Sequence, residues 1–249
     1  FNSNDTHTLA WTDSSEEFAA NGESFEFSPA DISGDFMLSV SATEDNTTEK
    51  HSTLLAAKIR IIKNGLPDLI VDKDSDGDGI TDIDEGFNDS DGDGIVDYLD
   101  DNADTTQLPL ADEQKSLQTV AGLTLSLGSI ATAQGLTADS AIITAEDLAT
   151  SYMDLDTTDA GFLAIEGASL FNFTVSGLTT TGDVAIIVYP LPEGVVIGEN
   201  TEYRKYTPAA GWTTFVSDSD NSIASAAKNE TGNCPAPESE LYLDGLTAE

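Results

Sequence analysis

Residues 74–85 read Asp-Ser-Asp-Gly-Asp-Gly-Ile-Thr-Asp-Ile-Asp-Glu, and residues 89–100 read Asp-Ser-Asp-Gly-Asp-Gly-Ile-Val-Asp-Tyr-Leu-Asp. The second stretch begins fifteen residues after the first. Both carry carboxylates at loop positions 1, 3, 5 and 9: Asp74, Asp76, Asp78 and Asp82 in one, Asp89, Asp91, Asp93 and Asp97 in the other. Alternate residues on a tightly curled backbone aim their carboxylates at a common point. Gly79 and Gly94 at position 6 permit the curl, because glycine takes positive φ without steric cost. Ile80 and Ile95 at position 7 are expected to donate only a backbone carbonyl while their side chains pack inward. Glu85 at position 12 is long enough to chelate with both oxygens. Asp100 is its shorter counterpart, so the second loop is expected to recruit water, Asp101 or Asp104. This is the calcium-loop pattern. Calcium is a hard cation that takes about six to eight oxygen ligands at roughly 2.3–2.6 Å. Magnesium fits less well, since it demands strict octahedral geometry and retains its waters. Zinc and copper want His or Cys, and neither loop has one. At least two calcium ions are expected.

Working outward, the acidic side chains from Asp72 to Asp104 number 14 against one cation, Lys73. Without bound positive charge such a run repels itself and stays open. The whole chain is acidic: 9 Lys and Arg against 46 Asp and Glu give a formal net charge of −37 over 249 residues. A surface of that sign repels nucleic-acid phosphates and anionic headgroups, which disfavours both as partners. It attracts divalent cations and suits a protein kept soluble in salty water. Hydrophobic residues at 39% and aromatics at 7% supply packed cores, so the chain is not a disordered acidic tail. Apolar runs never reach the length of about 18 residues that spans a bilayer.

Residues 1–70 carry strand signals at His7–Thr12, Ser24–Ser28, Phe36–Thr43 and Thr53–Ile62, separated by turns at Asn21-Gly22 and Ser33-Gly34. Phe36, Leu38 and Val40 alternate with Met37, Ser39 and Ser41, the period of a half-buried strand. Four strands are fewer than an immunoglobulin-like sandwich needs. Residues 106–249 carry further strand signals at Leu117–Leu127, Ala141–Thr144, Ser169–Ser176, Val184–Tyr189, Thr201–Tyr206 and Trp212–Val216. Turns are expected at Gly177–Gly182 and Pro190–Gly194, and a helical turn at Thr144–Tyr152. The expectation is an all-β chain. Two β-sandwich-like domains, 1–70 and 106–249, would be joined by the calcium-loaded acidic double loop of 71–105.

The double loop is not a pair of EF-hands. Those place a helix on each side of every loop, and only Gly86, Phe87 and Asn88 separate position 12 of the first from position 1 of the second. A sensor needs a bistable helix pair, which this spacing does not encode. The packed tandem instead resembles thrombospondin type 3 repeats, and what the resemblance implies is structural calcium that replaces a hydrophobic core. A wider resemblance rests on His7 and Trp11, Leu66-Pro67-Asp68, the two loops ending Asp97-Tyr98-Leu99-Asp100, Leu123–Gly128, Tyr203-Arg204-Lys205-Tyr206, Gly211-Trp212 and Asn233-Cys234-Pro235. That order is similar to bacterial surface proteins joining immunoglobulin- or cadherin-like repeats, type 3-like calcium loops and a C-terminal domain of the choice-of-anchor U type. The resemblance implies a cell-surface or released extracellular protein. The domain order, with strands lacking at both ends that invite pairing with another chain, leads to the expectation of a calcium-stabilised structural or adhesive module able to self-assemble into fibres. Its implied partners are neighbouring copies or other domains of the same surface protein, with no nucleic acid and no membrane insertion. The rival expectation is an accessory, non-catalytic module of a secreted hydrolase.

The chain starts at Phe1 without Met, as a mature product or excised fragment does. Cys234 is the sole cysteine; it reads either as half of a disulfide whose mate lies outside this chain or as an inert thiol. His7 and His51 are the only histidines, and no His-Glu-x-x-His, Gly-x-Ser-x-Gly or phosphate-binding glycine loop occurs. Carboxylate pairs of the kind glycosidases use are plentiful, but the 18 aromatics are scattered along the sequence. Trp11 and Trp212 read as core, and Arg204 and Lys205 as strand residues pairing with local acids. A non-enzymatic role is expected.

Overall fold

A computed structural model describes residues 6–14, 20–28, 34–44, 52–61, 68–110, 115–133, 141–152, 155–159, 170–191, 197–198 and 200–246. His51, Leu66, Pro67, Ser33 and much of Pro190–Gly194 lie outside the described residues. Strands dominate, with few and short helices. Among the described residues no helix is long and apolar enough to cross a membrane.

The β-branched and aromatic runs of the N-terminal part form β1 (His7–Asp13), β2 (Ala20–Asn21), β3 (Ser24–Phe25), β4 (Gly34–Glu44) and β5 (Ser52–Ile61). β1, β4 and β5 make one antiparallel sheet in that order, with Trp11 opposite Val40 and Val40 opposite Leu55. β2 and β3 form a hairpin whose turn uses Gly22 at φ +60°. The Trp11 indole N–H reaches back to the Gly22 carbonyl at 3.0 Å, and its ring lies 5.7 Å from Phe25. The expected alternation fails where β4 starts, for Phe36 and Met37 are both buried. Phe27 stacks 4.9 Å from Phe36, while Ser14 exchanges hydrogen bonds with Met37.

After the acidic segment come β6 (Gln107–Pro109), β7 (Ser116–Thr119) and β8 (Thr124–Leu127). Leu117–Leu127 is therefore two strands rather than one. The chain turns between them, with Gly122 at φ +89°, so β7 pairs with β6 while β8 belongs to another sheet. Leu108, Leu117, Leu125 and Ala141 are fully buried in the resulting core. Burying a leucine contributes about 1.5–3 kcal/mol, so this cluster is the main apolar anchor beside the loops.

Next are a short helix α2 (Ser129–Ala133), following the four-residue α1 (Asp82–Glu85) described below, then β9 (Ile142–Ile143) and α3 (Ala145–Ser151). α3 matches the expected helical turn: Thr144 and Asp147 cap it reciprocally, in the pattern that satisfies two orphan amides. The expected strand of residues 169–176 splits at Asn172 into β10 (Leu170–Phe171) and β11 (Phe173–Ser176). The Asn172 carboxamide oxygen accepts from the Ile130 and Ala131 amides at 2.9 and 3.0 Å, capping α2. Its main chain also bridges Gly128 and Ala141. Gly128 is required here, because a Cβ would stand 2.2 Å from that oxygen. α2 packs on β5, and Leu54 joins Ile130, Ala131, Ile143 and Leu148 in a second buried cluster.

The chain continues through β12 (Ile187–Val188), β13 (Arg204–Thr207), β14 (Gly211–Thr214), β15 (Ala224–Ser225) and β16 (Leu243–Asp244). β12 pairs with β7, β13 with β14, and β15 with β16. The aromatics scattered in sequence gather in space. Tyr189 lies 5.3 Å from Phe171, 5.9 Å from Phe173 and 5.7 Å from Tyr203, which in turn lies 5.6 Å from Phe215. Trp212 is half-buried against Tyr206 and donates to the Thr157 carbonyl at 2.9 Å. Arg204 pairs with Asp159 through two nitrogens, at 2.5 and 3.2 Å.

Asn172→Ala removes the cap on α2 and is expected to lower stability by about 1–2 kcal/mol. In denaturant unfolding the midpoint should fall with an unchanged slope. Asn172→Asp keeps an acceptor and should lose less; equal losses would show that the cap is not what matters.

Candidate metal centre

The repeated sequence gives a repeated structure. In each loop the position-9 amide closes the neck by donating to the residue before position 1: Asp82 to Lys73 at 2.8 Å, Asp97 to Asn88 at 2.7 Å. The position-1 carboxylate accepts from the amides of both following glycines. Asp74 receives Gly77 and Gly79 at 2.6 and 3.1 Å, and Asp89 receives Gly92 and Gly94 at 2.8 and 3.1 Å. All four glycines have φ between +80° and +100°, which a side chain would resist. One oxygen of Asp76 and Asp78, and likewise of Asp91 and Asp93, accepts the amide two residues on. In the last positions of each loop the chain turns helically, through α1 and through a 3₁₀ turn at Asp97–Leu99. Phe87 and Tyr98 pack edge to face between the two, 5.5 Å apart.

This curl draws the carboxylates of Asp74, Asp76 and Asp78 within 4.8 Å of one another, and those of Asp89, Asp91 and Asp93 likewise. Each trio can hold a metal ion. Four carboxylate oxygens, one each from Asp76, Glu85, Asp91 and Asp93, are buried without a hydrogen-bond partner. Buried polar atoms are almost always paired, so these are aimed at something absent from the protein itself. Two ionised carboxylates 4.8 Å apart repel by about 3.5 kcal/mol at an effective dielectric of 20. Against a typical stability of about 5–15 kcal/mol, the Asp91–Asp93 repulsion alone calls for a cation or a proton. The donor set is oxygen only, which suits a hard cation.

The remaining sequence-derived ligands sit differently. Asp82 and Asp97 do not face the trios: both oxygens of each are taken by the position-2 serine, Ser75 and Ser90, through amide and hydroxyl at 2.7–2.8 Å. They latch the loop shut, and Lys73 adds a charge contact to Asp82 at 3.6 Å. The serine at position 2 in both repeats was the available signal for this latch. Glu85 is half-buried outside the first trio. Burial raises its carboxyl above the ordinary range, followed by repulsion from Asp76, Asp78, Asp74 and Asp82. Asp100 is buried and accepts the Asn102 amide at 3.0 Å. Burial also raises its carboxyl, against that hydrogen bond, with Asp101, Asp89 and Asp97 adding repulsion. Asp104, a candidate spare ligand, is instead a turn cap held by Gln107 and Thr106, which keep its carboxyl below the usual range. Ile80 is half exposed rather than packed inward, and Ile95 is half-buried. Their amides donate to Asp78 and Asp93, both at 2.7 Å.

The two trios differ in their surroundings. Asp74 and Asp78 are exposed, whereas Asp91 and Asp93 are only 4% and 2% exposed. Burial is the chief cause that raises Asp91 to about 6 and Asp93 to about 7. Comparison with known proteins finds no family model, curated protein or solved structure that matches this chain.

The raised values give a sign for pH dependence in metal-free protein. Folded, Asp91 and Asp93 hold protons that the unfolded chain releases near 3.8. Metal-free stability should therefore fall as pH rises through the window from about 4 to 7. Relief of general charge repulsion on acidification acts in the same direction, so the readout is a difference. In chelator, the melting temperature of Asp91→Asn/Asp93→Asn should depend on pH less steeply than that of wild type. Parallel slopes would refute the assignment.

Proposed function

We propose that the double loop of residues 71–105 is a calcium-binding structural segment of an extracellular, non-enzymatic module on a bacterial cell surface. The observation that carries this reading is the set of four buried, unpartnered carboxylate oxygens converging on two loops of repeated geometry. A cation at each loop offsets the repulsion there and supplies the missing partner. Calcium is the reading of the ion because the donors are all oxygens and calcium accepts an irregular shell completed by water. In a segment this acidic the ions take the place of an apolar core. The acidic surface favours an environment rich in divalent cations and salt. Neighbouring copies, or other domains of the same surface protein, are the proposed partners, with adhesion or fibre formation as the role.

Calorimetric titration of chelator-stripped protein should show two calcium ions bound per chain. Limited proteolysis should cleave within Asp72–Asp104 much faster in chelator than in calcium. Equal cleavage in both conditions, or a titration without heat, removes the structural-calcium reading.

A further inference from the structure

β8 is a four-residue strand with two edges. β11 takes one of them, from Leu127 opposite Phe173 to Thr124 opposite Ser176. On the other edge the Leu125 amide donates to the Thr105 carbonyl at 2.8 Å, and the Leu127 amide to the Gly92 carbonyl at 3.2 Å. Gly92 is position 4 of the second acidic loop, between Asp91 and Asp93. It lies so close to β8 that a Cβ would stand 3.1 Å from the Ser126 Cβ. The second loop thus covers the Leu127 end of this edge, while Thr105, beyond the loop, covers the Leu125 end. The first loop has no such role: a Cβ on Gly77, the matching glycine, meets nothing within 4 Å.

An open strand edge is a template for pairing with another chain, so proteins cover it. Here the cover is a segment that is self-repelling on its own. Asp91 and Asp93 flank the Gly92 carbonyl, are 4% and 2% exposed, and each aims a buried, unpartnered oxygen into the loop. Two such charges on either side of one 3.2 Å hydrogen bond oppose it unless a cation or, at lower pH, a proton lies between them. We infer that the second loop is a cation-latched strap over the open edge of β8. An ion held by Asp89, Asp91 and Asp93 keeps the Gly92 carbonyl on the Leu127 amide, and its removal lifts the strap and uncovers the edge. The inference rests on the calcium reading above, and it assigns the edge-covering role to the second ion alone.

Hydrogen exchange at single amides tests it on the full chain, in calcium and in chelator, with calcium binding followed by calorimetry. Chelation should speed exchange at Leu127 about tenfold or more, as expected for local opening. The Lys205 and Thr213 amides, which face each other inside the β13–β14 hairpin, should stay as protected as before. In chelator, Asp91→Asn/Asp93→Asn, which carries neither of the opposing charges, should exchange at Leu127 more slowly than wild type, and Asp76→Asn in the first loop should match wild type in both conditions. If calorimetry shows the ions leaving while Leu127 remains protected, the strap is wrong and the calcium reading stands. Loss of protection throughout the molecule, including the β13–β14 hairpin, likewise overturns a strap-specific role. Absence of calcium binding overturns the calcium reading and the latch together.

Discussion

The repulsion between Asp91 and Asp93, held side by side in a nearly dry setting, is the constraint around which the middle of this protein is organised. Apolar burial fixes the position from one side. Leu108, Leu117 and Leu125 form a fully buried cluster, and β8 presents its amides to the loop from there. Hydrogen bonds fix it from the other side, because the two glycine amides hold Asp89 and the Ser90 latch holds Asp97. Those forces set the carboxylates in place without neutralising them. A buried charge left unpaired costs several kcal/mol, so the arrangement persists only with a proton or a cation between the oxygens.

Each loop divides its carboxylates between two tasks. Position 9 is fully engaged by serine and shapes the loop, while position 1 accepts the glycine amides and also belongs to the trio. Positions 3 and 5 give one oxygen to the backbone and leave the other for a ligand, wholly so in the second loop. The division follows from geometry. A carboxylate whose two oxygens each accept a short hydrogen bond is already oriented, whereas one with a free buried oxygen has an unmet electrostatic demand. Acidic residues thus serve as scaffold and as binding groups in the same twelve positions.

The trios were legible in the sequence because alternate aspartates between glycines leave the backbone little choice. The separation of Asp82 and Asp97 from them was not, since a position-9 carboxylate can serve either an ion or a serine, and spacing alone is silent on which. The strands of the N-terminal sheet were legible from period-two alternation and β-branched residues. The split of Leu117–Leu127 was harder, because Val120, Leu123 and the other apolar residues continue the strand pattern. Only Gly122 at positive φ marks the turn. Asn172 was missed for the same reason: a single polar residue in an apolar run gives no hint that its carboxamide caps a helix 42 positions away. The gathering of Phe171, Phe173, Tyr189, Tyr203 and Phe215 is likewise tertiary and leaves no local trace.

The contrast between the loops gives the tandem its sense. Two identical exposed sites would stiffen a linker and no more. Embedding one of them ties the ion to the edge of a sheet. Covering that edge with an apolar segment would leave a sticky surface whenever the segment lifted. A strap made of aspartates uncovers only charge on itself, and the chain's net −37 keeps other copies at a distance at low salt. Under the proposed latch, divalent ions act on both terms at once, closing the strap and weakening the repulsion between copies.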